Sequence, residues 1–302
     1  MTTSTETRST IVVRKMRFDL GCSKGALWND EAPEVSYLTN AWALALPYLE
    51  PYFISAVREC LPRIQDPRIH ADAVAYCAQE REHAQHHKRF NQRLVAEGYP
   101  GLAAMETSIK RRLNRGRKTQ SLRWRMAYTA GYEAVTLQIV RFFFLHTDLW
   151  FGRADPHVSA MLVWHGVEEV EHKNVAFDVY TTVFGSYFWR CLGLFVAAFT
   201  TVKDIVPPLL YMWRTDGLMR GLRQVDRAFF RRQRHLEWLH LRDLLPELRH
   251  YLKPSYHPSQ ERDPVDAIAW MADHAQGRSL ESIDTQSLSA HFGLSSSRER
   301  AL

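Results

Sequence analysis

The chain has 302 residues, of which 46% are hydrophobic and 24% are charged. This composition is typical of globular proteins and excludes a largely disordered chain, a collagen and a simple coiled coil. The net charge of +6 is mildly basic and is weak evidence for an anionic partner. A chain of this length buries enough surface to fold without disulfides.

The four cysteines are scattered along the chain and form no Cys-x-x-Cys pair: Cys22, Cys60, Cys77 and Cys191. This spacing argues against a zinc ribbon and against a thioredoxin-like motif. Isolated thiols are typical of proteins in a reducing compartment, and the N-terminal residues have no apolar core of a secretory signal. We therefore expect a cytoplasmic protein.

Taken in chain order, the sequence predicts a mostly helical protein. Residues 10–18 are the one strand-like run and predict either an edge strand or an extended arm. Turn residues divide the following part into four long helices, and the basic segment 102–118 is interpreted as a crossover between the second and the third. The four helices are expected at about 36–60, 68–97, 119–147 and 157–183.

The segment after Gly185 has a different character. Residues 184–202 are nineteen mostly apolar residues with one charge, Arg190. A membrane span needs about 20 such residues, so a transmembrane, an interfacial and a buried helix all stay open. Residues 203–253 contain eleven Lys and Arg against six acids, with interspersed aromatic residues, which fits the surface of an anionic membrane. No recognised nucleic-acid motif is present, so a nucleic-acid partner is not expected.

These patterns predict four parts of the chain. An N-terminal arm, 1–34, precedes a four-helix bundle at 35–184. An apolar and basic helical region follows at 185–283 and packs on the bundle or on a membrane surface. Residues 284–302 are small and polar and are expected to form a flexible tail.

Two predicted helices each contain Glu-x-x-His, as Glu80 with His83 and Glu169 with His172. Side chains three residues apart share one helix face, so each pair can bind a metal ion. Two such helices, with one glutamate from each of two others, form the ligand set of di-metal carboxylate bundles. The first and third helices offer Glu50 and Glu133, each alone in an apolar or aromatic run.

The spacing of these residues supports their meeting in space. In an antiparallel hairpin, residues at one height are equally far from the turn. The midpoint of Glu50 and Glu80 is residue 65, and that of Glu133 and Glu169 is residue 151. Both fall on predicted turns. Four buried carboxylates require cations to offset their charge, which a pair of metal ions supplies.

Further histidines and acids lie near these motifs. His165 and His87 share the helix faces of Glu169 and His83 and are additional candidate ligands. His86 lies off that face and is expected in solvent. Glu82, Glu168 and Glu171 are also placed off the face and are expected to form salt bridges. Asp178 is a candidate to orient a ligand imidazole, or else a surface acid.

These motifs resemble a known bacterial family, the "predicted metal-dependent hydrolases". The resemblance rests on Gln79-Glu80-x-x-His83-x-x-x-His87-x-x-Phe90-Asn91, on the run from Trp164 to Tyr180, and on Tyr251-x-x-Pro254-x-Tyr256-His257-Pro258. It covers about residues 12 to 262 and implies a ferritin-like four-helix bundle. The first helix matches least, because Pro51 follows Glu50 directly and predicts a bend there. The His-x-x-x-Glu-x-x-His spacing at 165–172 is also similar to that of the di-iron arylamine N-oxygenases.

The second resemblance favours redox chemistry, so the main expectation is an O2-dependent di-iron oxidase or oxygenase. Two metal ions are expected, iron first and manganese second, because the ligands are carboxylates and imidazoles. The substrate is expected to be hydrophobic or lipid-like, the electron donor is undetermined, and a dimer and peripheral membrane contact are considered. The alternatives are a metal-dependent hydrolase with a metal-activated water and non-catalytic metal storage.

Overall fold

The computed structural model describes residues 11–22, 25–219, 226–265 and 267–269. These residues form an all-α bundle without β-strands, which confirms the expected fold class. The predicted tail at 284–302 lies outside the described residues. The described helices are α1 Pro33–Ala43, α2 Leu46–Cys60, α3 Pro67–Ala96, α4 Leu102–Thr119, α5 Leu122–Leu145, α6 Thr147–Phe151, α7 Pro156–Glu171, α8 Val175–Val183, α9 Tyr187–Thr215 and α10 Arg227–Tyr251.

The first predicted helix is divided into α1 and α2. The break lies at Leu44–Ala45, and Pro47 stands in the first turn of α2, where a missing N–H group breaks no helical hydrogen bond. Pro51 lies inside α2 and does not end it. The helix therefore breaks before Glu50, at Leu44–Ala45, and not after Glu50 at Pro51 as predicted.

Both predicted turns are present and both have strong helix starts. Asp66 caps α3 by accepting hydrogen bonds from the N–H groups of Arg68 and Ile69. Asp155 caps α7 in the same way from His157 and Val158. Such caps stabilise a helix by about 1 kcal/mol each. They fix the two hairpins, α2–α3 and α5–α7, that carry the predicted ligands.

Two segments have a helical structure that differs from the expectation. The basic segment 102–118 connects the second and third predicted helices as expected, but it is itself the helix α4, with Leu102, Ile109 and Leu113 buried along one face. The fourth predicted helix is interrupted by a turn at residues 172–174, which separates α7 from α8. In both cases contacts with distant parts of the fold decide the local structure, and a prediction from helix propensity does not include such contacts.

The described part of the strand-like segment, residues 11–18, forms no regular strand and lies along the bundle as an extended arm. Three side chains of this arm are buried: Ile11, Arg14 and Met16. The extended-arm alternative is the one that the structure contains.

The apolar run after Gly185 forms α9, which packs against α5 and α1. By length and composition this helix could cross a membrane: its best window has a mean hydropathy of 1.4, and 39% of that window is buried in the protein. Its Arg190 is buried, and the guanidinium donates to the carbonyl oxygens of Tyr251 and Lys253. The Arg190 guanidinium is therefore held inside the protein.

Helix α10 packs on α5 with a histidine at the contact. The His240 ring stacks on Phe142, with ring centroids 3.7 Å apart. Burial lowers the pKa of His240 to about 4 from 6.5, and the nearby His146 lowers it as well. The neutral ring is therefore the form that the folded protein keeps.

This shift predicts a pH-dependent term in stability. A histidine with a depressed folded pKa stabilises the protein above the unfolded pKa, and the stability is lost as the pH falls towards the folded value. When the pH falls from about 7 to about 4.5, we expect His240 to lower the free energy of unfolding by about 2–3 kcal/mol. His240→Phe should remove that part of the acid sensitivity in urea unfolding at the two pH values. The exposed His235→Phe is the control, and equal acid sensitivity in all three proteins would contradict the assignment.

Candidate metal centre

Seven of the eight predicted metal ligands lie together inside the bundle. Their ligand atoms form two groups, and within each group the atoms lie within 4.8 Å of one another. The first group is Glu50, His83 and His165, and the second is Glu80, Glu133, Glu169 and His172. All seven side chains are buried. The two hairpins thus bring four helices to one centre.

Two carboxylates lie between the two groups. Glu80 Oε1 is 3.5 Å from His83 Nδ1 and 3.5 Å from His172 Nε2. Glu169 Oε1 is 2.8 Å from His165 Nε2, while its Oε2 is 3.1 Å from His172 Nε2. Glu80 and Glu169 therefore contact residues of both groups and would help to hold metal ions bound at either of them.

His87 is the predicted ligand that lies outside both groups. Its Nε2 is 2.9 Å from Nδ1 of His165, whose Nε2 faces Glu169. Ligand histidines commonly use one ring nitrogen for the metal and the other for an orienting hydrogen bond. The position of His87 fits that orienting partner, and its direct ligation stays a prediction.

His83 has a carboxylate partner that the sequence analysis did not assign to the centre. Nε2 of His83 is 3.0 Å from Glu168 Oε2, while its Nδ1 points at the ligand group. Arg14, from the N-terminal arm, donates to Glu168 at 3.0 Å and to Glu171 at 2.9 and 3.0 Å. The predicted salt bridging of Glu168 and Glu171 is present. The sequence could have placed Glu168 near the centre, because it lies three residues after His165 and four before His172. Nothing in the sequence indicates this position for Arg14.

A tyrosine orients one of the carboxylates. The Tyr76 hydroxyl donates to Glu133 Oε1 over 2.7 Å. Tyr76 is fully buried and lies one turn before Glu80 on α3. This spacing places it on the ligand face, so the sequence contained this signal as well. The other oxygen, Glu133 Oε2, lies 3.6 Å from His172 Nε2 and faces the group.

Two neighbouring residues differ from expectation. His86, expected in solvent, is buried because Phe18 of the arm and Trp164 of α7 pack against its ring at 5.0 and 5.2 Å. Asp178, considered as a partner for a ligand imidazole, instead contacts His257 with its Oδ1 2.7 Å from Nε2. His257 belongs to neither ligand group.

Several buried ligand atoms lack a hydrogen-bond partner within the protein. Both carboxylate oxygens of Glu50, Oε1 of Glu80 and Nδ1 of His83 are among them. Buried polar atoms are rarely left in this state, because each costs about 1–3 kcal/mol. Oxygen and imidazole nitrogen atoms gathered in such groups are the donor set of iron, manganese or zinc ions. The residues therefore fit a metal centre.

The pKa shifts at the centre show that its carboxylates favour positive charge beside them. Burial raises the pKa of Glu50 well above its usual range, and the Glu80 carboxylate raises it further. Burial likewise raises the pKa of Glu133, with the Glu169 carboxylate as the next cause. Burial lowers the pKa of His172, but Glu169 and the other carboxylates outweigh it and raise that pKa to about 9. Without metal ions, Glu50, Glu133 and His172 therefore hold their protons more tightly than usual, and bound metal ions would supply that positive charge instead.

An all-α bundle with a buried carboxylate and histidine cluster defines a class of metal-binding proteins. Residues 12–262 match the family model described as "Predicted metal-dependent hydrolase", and the chain belongs to that family. No curated protein and no solved structure gave a match. The family assignment agrees with the resemblance found in the motifs.

The description of the family contradicts the expected oxidoreductase. It indicates hydrolysis, so the interpretation as an O2-dependent oxidase or oxygenase is wrong. The physical reason for the error is that carboxylate and imidazole ligands serve both chemistries. The spacing of His165, Glu169 and His172 therefore carries no information on the reaction.

Proposed function

We propose that the protein is a hydrolase that uses two metal ions to activate water. The observation that carries the proposal is the division of seven buried ligands into two adjacent groups, with Glu80 and Glu169 between them. The family description supports hydrolysis as the reaction. Iron is the first candidate metal and manganese the second, because the ligands are carboxylates and imidazoles without a thiolate.

Bound metal ions in such a centre supply a nucleophilic water at neutral pH and polarise a carbonyl or phosphoryl oxygen. The protein holds the ligands in place. Glu168 and Arg14 fix the ring of His83, and His87 fixes that of His165. Tyr76 holds Glu133 through one oxygen. Outer contacts of this kind change metal affinity or activity by about 10–100-fold when removed.

The substrate that fits best is hydrophobic. A cavity of about 100 Å³ lies between α2, α4, α5 and α9, with Tyr52, Trp124 and Tyr128 in its lining. Tyr128 contacts Tyr132, with ring centroids 5.9 Å apart. Burial and Tyr128 raise the pKa of Tyr132, and the nearby Glu50 carboxylate adds to that shift. An aromatic lining of this kind supports an apolar group on the substrate, and an ester with an apolar acyl group is the substrate that we propose.

The test uses metal-loaded protein and a series of p-nitrophenyl esters of increasing acyl length, with p-nitrophenyl phosphate alongside. We expect ester hydrolysis that is lost on chelation and restored by Fe²⁺ or Mn²⁺. Glu169→Gln should lower kcat by more than about 100-fold, since even outer-shell changes reach ~10–100-fold. Glu82→Gln is the matched control, two residues from Glu80 and outside both ligand groups. Turnover that persists in metal-free protein would contradict a metal-activated water.

A further inference from the structure

Helix α9 exposes a continuous apolar stripe. Phe188, Phe195, Phe199, Val202 and Val206 are between 41% and 67% exposed. Their spacing of seven, four, three and four residues places them on one helix face. Exposed aromatic rings in such a row are unusual on a soluble monomer and mark a contact surface.

The opposite face of α9 is fixed to the protein. Gly193, Leu194, Ala197 and Thr201 are buried against the bundle. Asp204 is also buried on this side and pairs with Arg112 of α4, with Nη1 2.7 Å from Oδ1. A helix with this packed face and a paired buried acid presents only its outer half to its surroundings. This arrangement suits a helix that lies in an interface plane rather than one surrounded by lipid.

Cations border the stripe on the side of α4. Arg111, Arg115 and Lys118 are exposed and repeat at four and three residues along one face of α4. They lie within two turns of Arg112, which contacts α9 directly. Lys203 of α9 is exposed and lines a cavity shared with α4. The exposed cations of α4 and the apolar stripe therefore belong to two helices that are joined by the contact of Arg112 with Asp204.

This surface contains little negative charge to offset the cations. Glu106 is the one acid in the sequence of α4, and it accepts hydrogen bonds from Asn91 and Tyr48. Asp204 is the one acid in the sequence of α9 and is the buried partner of Arg112. At one end of the stripe Trp189 contacts Trp124, with ring centroids 6.0 Å apart, and Arg123 lies over the Trp189 ring at 5.5 Å. Tryptophan and arginine are residues that favour the headgroup level of a bilayer.

We propose that the exposed face of α9, together with the basic face of α4, docks the protein onto an anionic lipid bilayer. The apolar side chains enter the boundary between headgroups and acyl chains, and the cations contact lipid phosphates. A second copy of the chain is the less suitable occupant. In a two-fold contact with antiparallel α9 helices, the α4 helices of the two copies would lie on the same side, and their cations would face each other with no unpaired acid of α4 or α9 to offset them.

The experiment measures co-sedimentation of the full chain with phosphatidylcholine/phosphatidylglycerol vesicles over a salt series. We expect binding at low salt that weakens as the salt concentration rises, with much weaker binding to pure phosphatidylcholine vesicles. Carbonate should release the bound protein. Binding that is equal on neutral vesicles, absent at low salt, or resistant to carbonate would overturn the proposal.

Variants separate the two parts of the surface. Phe195→Ser/Phe199→Ser should weaken vesicle binding at least about tenfold, because the variant loses two aromatic side chains that would enter the bilayer. Arg111→Gln/Arg115→Gln/Lys118→Gln should weaken it about fivefold per residue and flatten the salt dependence. The matched control is Val74→Ser/Leu145→Ser, which changes two exposed apolar residues on α3 and α5 and should bind as the wild type does.

Light scattering in the absence of vesicles tests whether a second copy of the chain covers this face. The proposal expects a mass that Phe195→Ser/Phe199→Ser does not change. A dimer that this double substitution converts to a monomer would show that a second copy covers the face, and would overturn the lipid assignment.

Discussion

The double substitution His83→Ala/His172→Ala is expected to reduce bound metal from about two ions per chain to nearly none. The two imidazoles belong to different ligand groups, so each group loses a nitrogen ligand. Wild-type protein and the double variant, purified in parallel, would be compared by elemental analysis of metal content. The exposed pair His70→Ala/His235→Ala controls for the loss of surface histidines.

The same variant has an expected effect on stability. A ligand that binds only the folded state stabilises it by RT ln(1 + [L]/Kd), which is about 4 kcal/mol at a thousandfold excess over Kd. Chelation should therefore lower the Tm of the wild type and leave that of the double variant unchanged. Unaltered metal content in a variant that keeps its helical circular dichroism would remove these histidines from the centre.

The meeting of the candidate ligands in the fold was predictable because it depends on local geometry and on hairpin symmetry. Glu80 with His83, and Glu169 with His172, are three residues apart, and any α-helix places such pairs on one face. The turn midpoints then placed Glu50 and Glu133 at matching heights, and the structure brings all four carboxylates together. Neither step required knowledge of how distant segments meet.

The residues that escaped prediction depend on contacts between distant segments. Arg14 reaches Glu168 across 154 residues of sequence, and the burial of His86 results from Phe18 of the same arm. Nothing in the periodicity of a helix encodes where an extended arm lies. The arm was predicted as one of two alternatives, but its role in holding Glu168 against His83 becomes visible only in the folded chain.

The close contact of α5 and α9 gives the largest expected loss of stability. A Cβ atom added at Gly193 would lie 2.1 Å from the carbonyl oxygen of Ala127, and one added at Gly131 would lie 2.5 Å from the backbone of Gly193. These neighbours are backbone atoms, so no side-chain rotamer can relieve the overlap. Gly193→Ala should therefore force the helices apart and cost about 3 kcal/mol or more.

This cost should lower the Tm by about 5 °C or more in thermal unfolding, because 302 residues with an unfolding entropy of about 2.1 cal/mol/K each give about 1.6 °C per kcal/mol. Gly21→Ala is the control, because its added Cβ atom meets only Asp19 Oδ1 at 3.5 Å. Glu133 stands two residues after Gly131 on α5, so a displaced α5 also moves a predicted ligand away from Tyr76. Gly193→Ala should consequently retain less metal than Gly21→Ala. A Gly193→Ala protein with wild-type Tm and metal content would show that α9 does not hold α5 in this position.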